Sequence, residues 1–309
     1  VPAPLLIADV PWLLYRSYFA LPKSIVGSDD QPVNALLGTV NAILTFYDAR
    51  LSARAVDGVV ACMGAEQADY RVALYPPYHA HRDPMPPELA AQWEKAPALL
   101  ESLGWTYATS EELEADDVMF SHARVEQERG GHALLLTGDR DLYGAVTDRV
   151  AVAELLKGGK HGEIGPEQVR ERYGVEPQQV PDFIALRGDP SDGLPGAPGI
   201  GAKTAAELLR EHGTLEALLS AAGADAHADD ADADAAAVRA SRVMRPRVAA
   251  ALRENAELLR KFKQIATLQR IDVEPPINRS TDFAMGALSA RELGMRRLAE
   301  RLAGMTGAS

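Results

Sequence analysis

Four short apolar runs punctuate the first half of the chain: Leu5–Ala8, Val59–Met63, Ala133–Thr137 and Val150–Ala153. Each is nearly continuous rather than alternating, as expected of strands covered on both faces, and the stretches between them are long enough for crossover helices. The pattern predicts an α/β fold with a mostly parallel, twisted sheet flanked by helices. Val33 to Arg50 carries apolar residues at helical spacing. Glu114 to Arg129 opens with acids, ends at Gly130-Gly131, and reads as a second crossover helix. The proline-rich stretch from Pro76 to Pro97, with Tyr78, His79, His81 and Arg82, interrupts any simple element and predicts a projecting or mobile segment between sheet elements.

After about Gly174 the strand-like runs stop and helical patterns broken by Gly and Pro take over. We therefore expect an α/β domain over 1–174 and a smaller helical domain over 175–309. Residues 221–240 form an Ala/Asp tract with almost nothing to bury, which predicts a solvated insertion, although alanine also permits a longer helix. No internal repeat of fixed period is present.

Composition narrows the class. With 309 residues and 47% hydrophobic side chains, the chain can bury a large core. The stretch Leu5 to Leu14 is interrupted by Asp9 and Pro11 and lacks a basic flank, so it predicts neither a membrane span nor a leader, and the expected location is cytoplasmic. The single cysteine, Cys62, sits in apolar company and reads as a core residue. A formal charge of −12 argues superficially against nucleic acid. The acids are concentrated, however, and between Arg239 and Lys263 there are eight Lys or Arg against Glu254 and Glu257 alone. A locally basic face is available.

Several acids follow predicted strands: Asp9 after the first, Asp139 and Asp141 after the third. In an open parallel sheet the ligand crevice lies at the carboxyl ends of the strands, so these acids should converge. Glu114, Asp116 and Asp117 at a helix start, and Asp189 and Asp192 in a later loop, add to them. Taken singly, each fits a turn or a favourable place near a helix dipole. Gathered together they repel one another unless cations neutralise them, which points to a hard divalent ion, Mg²⁺ or Mn²⁺. Two such ions a few ångströms apart suit phosphodiester hydrolysis.

The segment 194–204 places Gly196, Gly199 and Gly201 ahead of an apolar helix, with Lys203 and Thr204 in its first turn. Glycines let backbone N–H groups approach a phosphate, and a helix start adds partial positive charge. A nucleotide-binding P-loop requires Lys directly after the last glycine, where this chain has Ala202. A helix-hairpin-helix, which grips nucleic-acid backbone without reading bases, fits better.

Four blocks in this order resemble the bacterial 5′-nuclease family, which includes stand-alone flap endonucleases and the N-terminal domain of DNA polymerase I. They are Asp9 with Arg16 seven residues on, Glu114-Ala-Asp-Asp117, Thr137-Gly-Asp-x-Asp-Leu142, and Leu186-x-Gly-Asp-x-Ser-Asp-x-Leu-Pro-Gly196. The resemblance implies that Asp9, Glu114 and Asp116 hold a first metal ion, with Asp117 close by, and that Asp139, Asp141, Asp189 and Asp192 serve a second. It implies an arch over the active site around 76–100, with His79 and Arg82 in its conserved block. It further implies DNA contacts from Arg16, Arg71, His79, Arg82 and the hairpin residues Gly196, Gly199, Gly201, Lys203 and Thr204, with K⁺ at the hairpin. The implied substrate is branched or 5′-ended DNA in replication and repair, at the nucleoid, and the implied catalytic set is Asp9, Glu114, Asp116, Asp139, Asp141 and Arg82.

Three positions depart from the family pattern. Counting seven residues back from Arg71, where the family has an Asp ligand, gives Gly64, with Glu66 and Asp69 nearby as substitutes. The arch lysine is His79, and the glycine after the first Asp is Val10. His79 and His81 lack the further ligands of a transition-metal site. The departures leave three readings: an active nuclease with a weakened or rebuilt first-metal site, a DNA-structure-binding paralogue without catalysis, and a related metal-dependent ribonuclease, against which the hairpin argues.

Overall fold

The computed structural model describes residues 2–47, 55–156, 161–224, 244–277 and 279–306. A six-stranded sheet runs in the order β3-β2-β1-β4-β5-β6. Its strands are β1 (Leu5–Asp9), β2 (Val59–Cys62), β3 (Thr106–Ala108), β4 (Ala133–Leu136), β5 (Val150–Leu155) and β6 (His161–Ile164). All pairings are parallel except β5 with β6. The four strands expected from sequence are the central ones. The two unforeseen strands are the edges, short and only partly buried, so neither carries an apolar run.

Alternate residues of the central strands feed two cores. Leu5, Ile7, Val60, Leu135 and Val152 face α5 (Ala115–Glu128), and that core continues into the helical part through Phe183, Leu209 and Phe262. Leu6, Ala8, Ala61, Leu134 and Leu136 face the opposite way, onto α1 (Val10–Ala20), α2 (Asn34–Leu44) and α4 (Pro87–Ser102). Burial on both faces fixes each strand's roll and leaves only its ends to meet solvent.

Two expectations need correction. The helix expected over 33–50 ends at Leu44 and tightens into a 3₁₀ turn over Thr45–Tyr47, with 48–50 outside the described residues. The stretch expected to project from Pro76 to Pro97 is irregular only in its first part: α4 begins at Pro87 and continues through Pro97. An interior proline costs roughly 3 kcal/mol, but α4 buries Leu89, Ala96, Leu99 and Leu100 in the second core. Gln92 ties it down further, its Oε1 accepting from the Ala35 and Leu36 N–H groups at 2.8 and 3.3 Å. Those amides open a helix that has no side-chain cap of its own.

Beyond α6 (Pro166–Tyr173) the chain is helical: α7 (Val180–Arg187), α8 (Ala202–His212), α9 (Leu215–Ala224), α10 (Pro246–Glu254) and α11 (Ala256–Ala266). Residues 221–224 of the Ala/Asp tract complete α9, and 225–240 lie outside the described residues. After α11 the chain returns along α5. The Gln269 N–H donates to Asp117 at 2.7 Å, the Ile271 N–H to Ser121 at 3.0 Å, and Arg279 pairs with Glu126 at 2.7 Å. The closing pair, α12 (Phe283–Glu292) and α13 (Arg296–Met305), packs its Ala290, Leu298 and Leu302 into the second core. Among the described residues no helix is long and apolar enough to cross a membrane.

Candidate active site

The chain runs from β1 outward to β2 and β3, then crosses back to place β4 on the other side of β1. The crevice at such a reversal, outside the carboxyl ends of the strands, is where open α/β sheets bind ligands. Asp9 ends β1, and Asp139 follows β4 by three residues. A cavity of about 810 Å³ opens there, lined by Asp9, Glu114, Asp116, Asp139, Asp141 and Asp192.

Asp9 is buried and caps α1, accepting from the Trp12 N–H at 2.9 Å. Its other oxygen accepts from the Thr137 hydroxyl at 2.7 Å, and the same hydroxyl accepts from the Asp139 N–H at 3.0 Å. Thr137 thus locks the two strand ends together. Asp139 in turn accepts from the Asp141 N–H at 2.9 Å. Burial pushes Asp9 up to about 6, against the pull of its Thr137 and Trp12 hydrogen bonds. Burial also pushes Asp139 up to about 7, with Asp192, Asp9 and Asp189 adding to the rise. Asp116 is raised well above the carboxylate range by desolvation and by Asp139, Asp9 and Glu114. Asp141 is raised likewise by desolvation and by Asp139, Asp192 and Asp189. Four carboxyls therefore hold one another in a state that a cation would relieve.

The remaining acids are differently placed. Glu114 accepts from the Ala68 N–H at 2.9 Å and from the Tyr78 hydroxyl at 3.0 Å, and pairs with Arg71 at 2.9 Å. Asp117, expected near the metal, is fully buried against Arg71 at 3.0 Å and does not line the crevice. Asp189 accepts from Arg187 at 3.2 Å and from the Ser191 N–H at 2.8 Å. Asp192 takes His79 Nε2 at 2.9 Å and Arg82 at 3.3 Å.

The cations expected on the DNA face divide in the same way. Arg16 is exposed and lies over the Trp12 ring. The Arg82 side chain is half-exposed at the crevice rim. Arg71, on α3 (Asp69–Leu74), is instead internal: its Nε donates to the Ile265 carbonyl at 3.1 Å while its other nitrogens hold Glu114 and Asp117. Burial works against that charge, and the two carboxylates outweigh it and raise its pKa. His79 is also internal, stacked on Tyr78 and bonded to Asp192, with φ at 54°.

At Gly64, where the resemblance leads one to expect an acid, the chain has closed over the position. A Cβ built there meets the Ala115 nitrogen at 2.5 Å and the Glu114 carbon and Leu113 oxygen at 2.6 Å. The Ala65 N–H donates to the Leu113 carbonyl at 2.9 Å, so the two backbones are bonded side by side. Glu66 is exposed on the crevice wall, reaching the Tyr15 hydroxyl at 3.4 Å, and Asp69 is exposed outside the crevice lining. Sequence reasoning gave no role of their own to Thr137, to Tyr78 or to the aromatic wall of Trp12, Tyr15, Phe19 and Trp93. The first two stand inside the sequence blocks quoted for the acids and for the expected arch.

The 188–201 hairpin joins α7 to α8. Asp189 and Leu194 exchange backbone hydrogen bonds at 2.8 Å, and the backbone at Gly196 (φ 70°) passes so close to Gly188 that no side chain fits between them. Gly199, Gly201 and Lys203 are exposed at the start of α8, and Thr204 is half-exposed.

An oxygen-only donor set suits a hard divalent ion. Among the described residues no three acidic, histidine or cysteine side chains are gathered tightly enough to grip an ion as they lie. The four mutually repelling carboxyls fit such an ion in chemistry, whereas the Glu114–Gly64 side, already holding a guanidinium and lacking a carboxylate, does not.

Comparison with known proteins gives two family matches: residues 4–174 to the 5′-3′ exonuclease N-terminal resolvase-like domain, and 175–287 to the 5′-3′ exonuclease C-terminal SAM fold. A 5′-3′ exonuclease of Streptomyces coelicolor is 38% identical over 232 residues, covering 70% of this chain and 74% of that protein. The thermostable DNA polymerase I of Thermus thermophilus is 40% identical over 217 residues, covering 69% of this chain and a quarter (25%) of the polymerase. Among solved structures, the bacteriophage T5 flap endonuclease in a pseudo-enzyme–product complex with DNA and metal ions superposes with a TM-score of 0.60 at 18% identity, over 98% of each chain.

Proposed function

The chain belongs to the 5′-3′ exonuclease family, and from that premise we propose that it hydrolyses DNA phosphodiesters at 5′ ends or 5′ flaps with divalent cations held by the crevice carboxylates. One observation carries this reading: Asp9, Asp116, Asp139 and Asp141, scattered in sequence, line one crevice at the sheet's reversal point. Mg²⁺ or Mn²⁺ fits the oxygen-only set, and the T5 relative was solved with metal ions and DNA. A bound divalent ion supplies positive charge against the charge that develops on a phosphodiester under attack by water.

The chain's own residues do the rest. Asp9 and Asp139, fixed by Thr137, hold the floor of the site. Arg82 offers a rim cation to the strand that enters, and the ring faces of Trp12, Tyr15, Phe19 and Trp93 suit stacking by unpaired bases. Gly199, Gly201, Lys203 and Thr204 suit the duplex backbone, with K⁺ as the expected ion there. Cleavage of this kind leaves a 5′-phosphate and a 3′-hydroxyl, as replication and repair require, in the compartment that holds the chromosome.

The test is cleavage of 5′-flap and 5′-overhang duplexes with Mn²⁺ or Mg²⁺, with Asp139→Ala reducing it by ~10²-fold or more. Equal cleavage in EDTA overturns the proposal. A second reading, a DNA-structure-binding protein without turnover, draws on the cations that already occupy Glu114 and Asp192. Turnover that disappears in Asp141→Asn excludes it.

A further inference from the structure

A second cavity, of about 430 Å³, is lined by Arg140, Glu154, Arg172 and Tyr173 and shares no lining residue with the crevice. Arg140 stands in the chain between Asp139 and Asp141, at the start of the 3₁₀ turn Asp141–Ala145. Both acids line the crevice, yet the Arg140 side chain pairs with neither, nor with any other described residue. The turn accounts for this: the Asp141 N–H donates back to the Asp139 carboxylate at 2.9 Å, and Arg140 is left exposed in the second cavity. The neighbouring arginines are occupied. Arg172 holds both Glu154 oxygens, at 2.5 and 2.8 Å, and donates to the Tyr143 hydroxyl at 2.5 Å. Arg187, which ends α7 and opens the hairpin, holds Asp189 at 3.2 Å and lies over the Tyr173 ring, 5.7 Å from its centroid. The cavity lining therefore sets two guanidiniums against one carboxylate, and the uncompensated charge is that of Arg140. The Tyr173 hydroxyl has no hydrogen-bond partner among the described residues. Burial raises its pKa, and the charges that act on it besides are Arg187, Asp141, Arg140 and Asp189, so Tyr173 lies between the crevice acids and the base of the hairpin.

We propose that this cavity is a phosphate site, in which Arg140 and Tyr173 hold a backbone phosphate of the DNA strand between the crevice and the hairpin, on the duplex side of the bond that is cut. This inference rests on the proposed function, because it presumes DNA seated at both places. A guanidinium without a carboxylate partner presents parallel N–H donors that match two oxygens of a phosphate. The Arg172–Glu154 pair beside it is already satisfied, so it walls the cavity without competing for the ligand. A contact of this kind fixes the register of a strand and reads no bases. Because Arg140 is joined on either side to an acid of the crevice, a phosphate held there determines which phosphodiester reaches Asp139 and Asp141. Arg140 is accordingly a positioning residue for the site of cleavage.

The experiment measures binding of a 5′-flap duplex in EDTA by fluorescence anisotropy across a salt series, with single neutral methylphosphonates walked along the flap-bearing strand. Wild type should lose roughly three- to fivefold in affinity when one of the first few phosphates on the duplex side is neutral. Arg140→Gln should lose the same amount on unmodified DNA and nothing further at that position. Its salt slope should fall by about 1, and Arg140→Lys should restore most of the affinity. The melting temperature of Arg140→Gln should stay within about 1 °C of wild type, since no partner is lost. With Mn²⁺, Arg140→Gln should spread cleavage over neighbouring phosphodiesters. Arg140→Gln that binds as tightly as wild type, or losses that add at every methylphosphonate position, overturn the inference and leave the nuclease reading intact. So does a wild-type affinity that responds, through Arg140, only to added inorganic phosphate or only to a 5′-terminal phosphate, because the site then serves a free or terminal group. Wild-type protein that neither binds nor cleaves the flap overturns the nuclease reading itself.

Discussion

Restoring a missing ligand is the obvious way to improve a weakened metal site, and at Gly64 the structure predicts the reverse. The added Cβ would stand 2.5–2.6 Å from three backbone atoms of Leu113, Glu114 and Ala115. Ordinary contact begins near ~3.5 Å, so the start of α5 would have to retreat by about 1 Å, carrying Glu114 and Asp116 with it. Overpacking of this kind costs roughly 1–3 kcal/mol. For a chain of this size that is about 2 °C of melting temperature per kcal/mol, a fall of ~2–6 °C. Gly64→Ala isolates the Cβ. Gly64→Asp adds a carboxylate beside Glu114 and should melt lower still. Both should cleave more slowly than wild type, because α5 positions an acid of the site. Scanning calorimetry and flap cleavage under saturating Mn²⁺ measure the two effects. A Gly64→Ala protein that melts within a degree of wild type, together with a Gly64→Asp protein that cleaves about tenfold faster, would refute the steric argument.

Other substitutions probe separate parts of the molecule. Asp139 stands at about 7 in the folded protein against the ordinary aspartate value of 3.8. The folded state therefore holds more protons than the unfolded one across that window, and this group's stabilising contribution is lost as pH rises. In EDTA, Asp139→Asn should gain stability over wild type steadily as pH rises from 3.8 to about 7, and a constant difference in urea midpoint would contradict this. Lys203→Ala should weaken duplex binding without regard to sequence and reduce the salt slope of log K by about 1, which fluorescence anisotropy across a salt series will show. Arg279→Ala removes the partner of buried Glu126 and should cost about 1–3 kcal/mol; an unchanged denaturation midpoint would show that Glu126 finds another donor.

The central strands were legible because Leu5–Ala8 and its counterparts are apolar on both faces, a pattern that survives without knowledge of the neighbours. The edge strands were not: His161-Gly-Glu-Ile owes its place to pairing with β5 and to His161 meeting Thr45 and Phe46, far away in the sequence. Pro97 hid α4 because a local breaker signal gave no hint of Leu89, Leu99 and Leu100 packing behind it. At the site, strand ends announced Asp9 and Asp139. The internal roles of Arg71 and Asp117 were invisible: besides pairing with each other, they are fixed by the backbone carbonyl of Ile265 and the backbone N–H of Gln269. Backbone groups leave no mark in a sequence, and these stand far along the chain from the side chains they meet. His79 looked like a lost cation, and the structure makes it an internal partner of Asp192.

The return of the chain along α5 bears on how such proteins can be recombined. Backbone N–H groups at Gln269 and Ile271 and the side chain of Arg279 meet Asp117, Ser121 and Glu126 in succession, so the face of α5 and the segment 265–282 behave as a single unit of inheritance. A hybrid that joins the sheet of this chain to the helices of a relative, with the crossover placed between the two matched domains, would separate the donors of one parent from the acceptors of the other. Grafts that carry both surfaces from the same parent should keep their acids in register, and those that split them should lose it even where every crevice residue is retained.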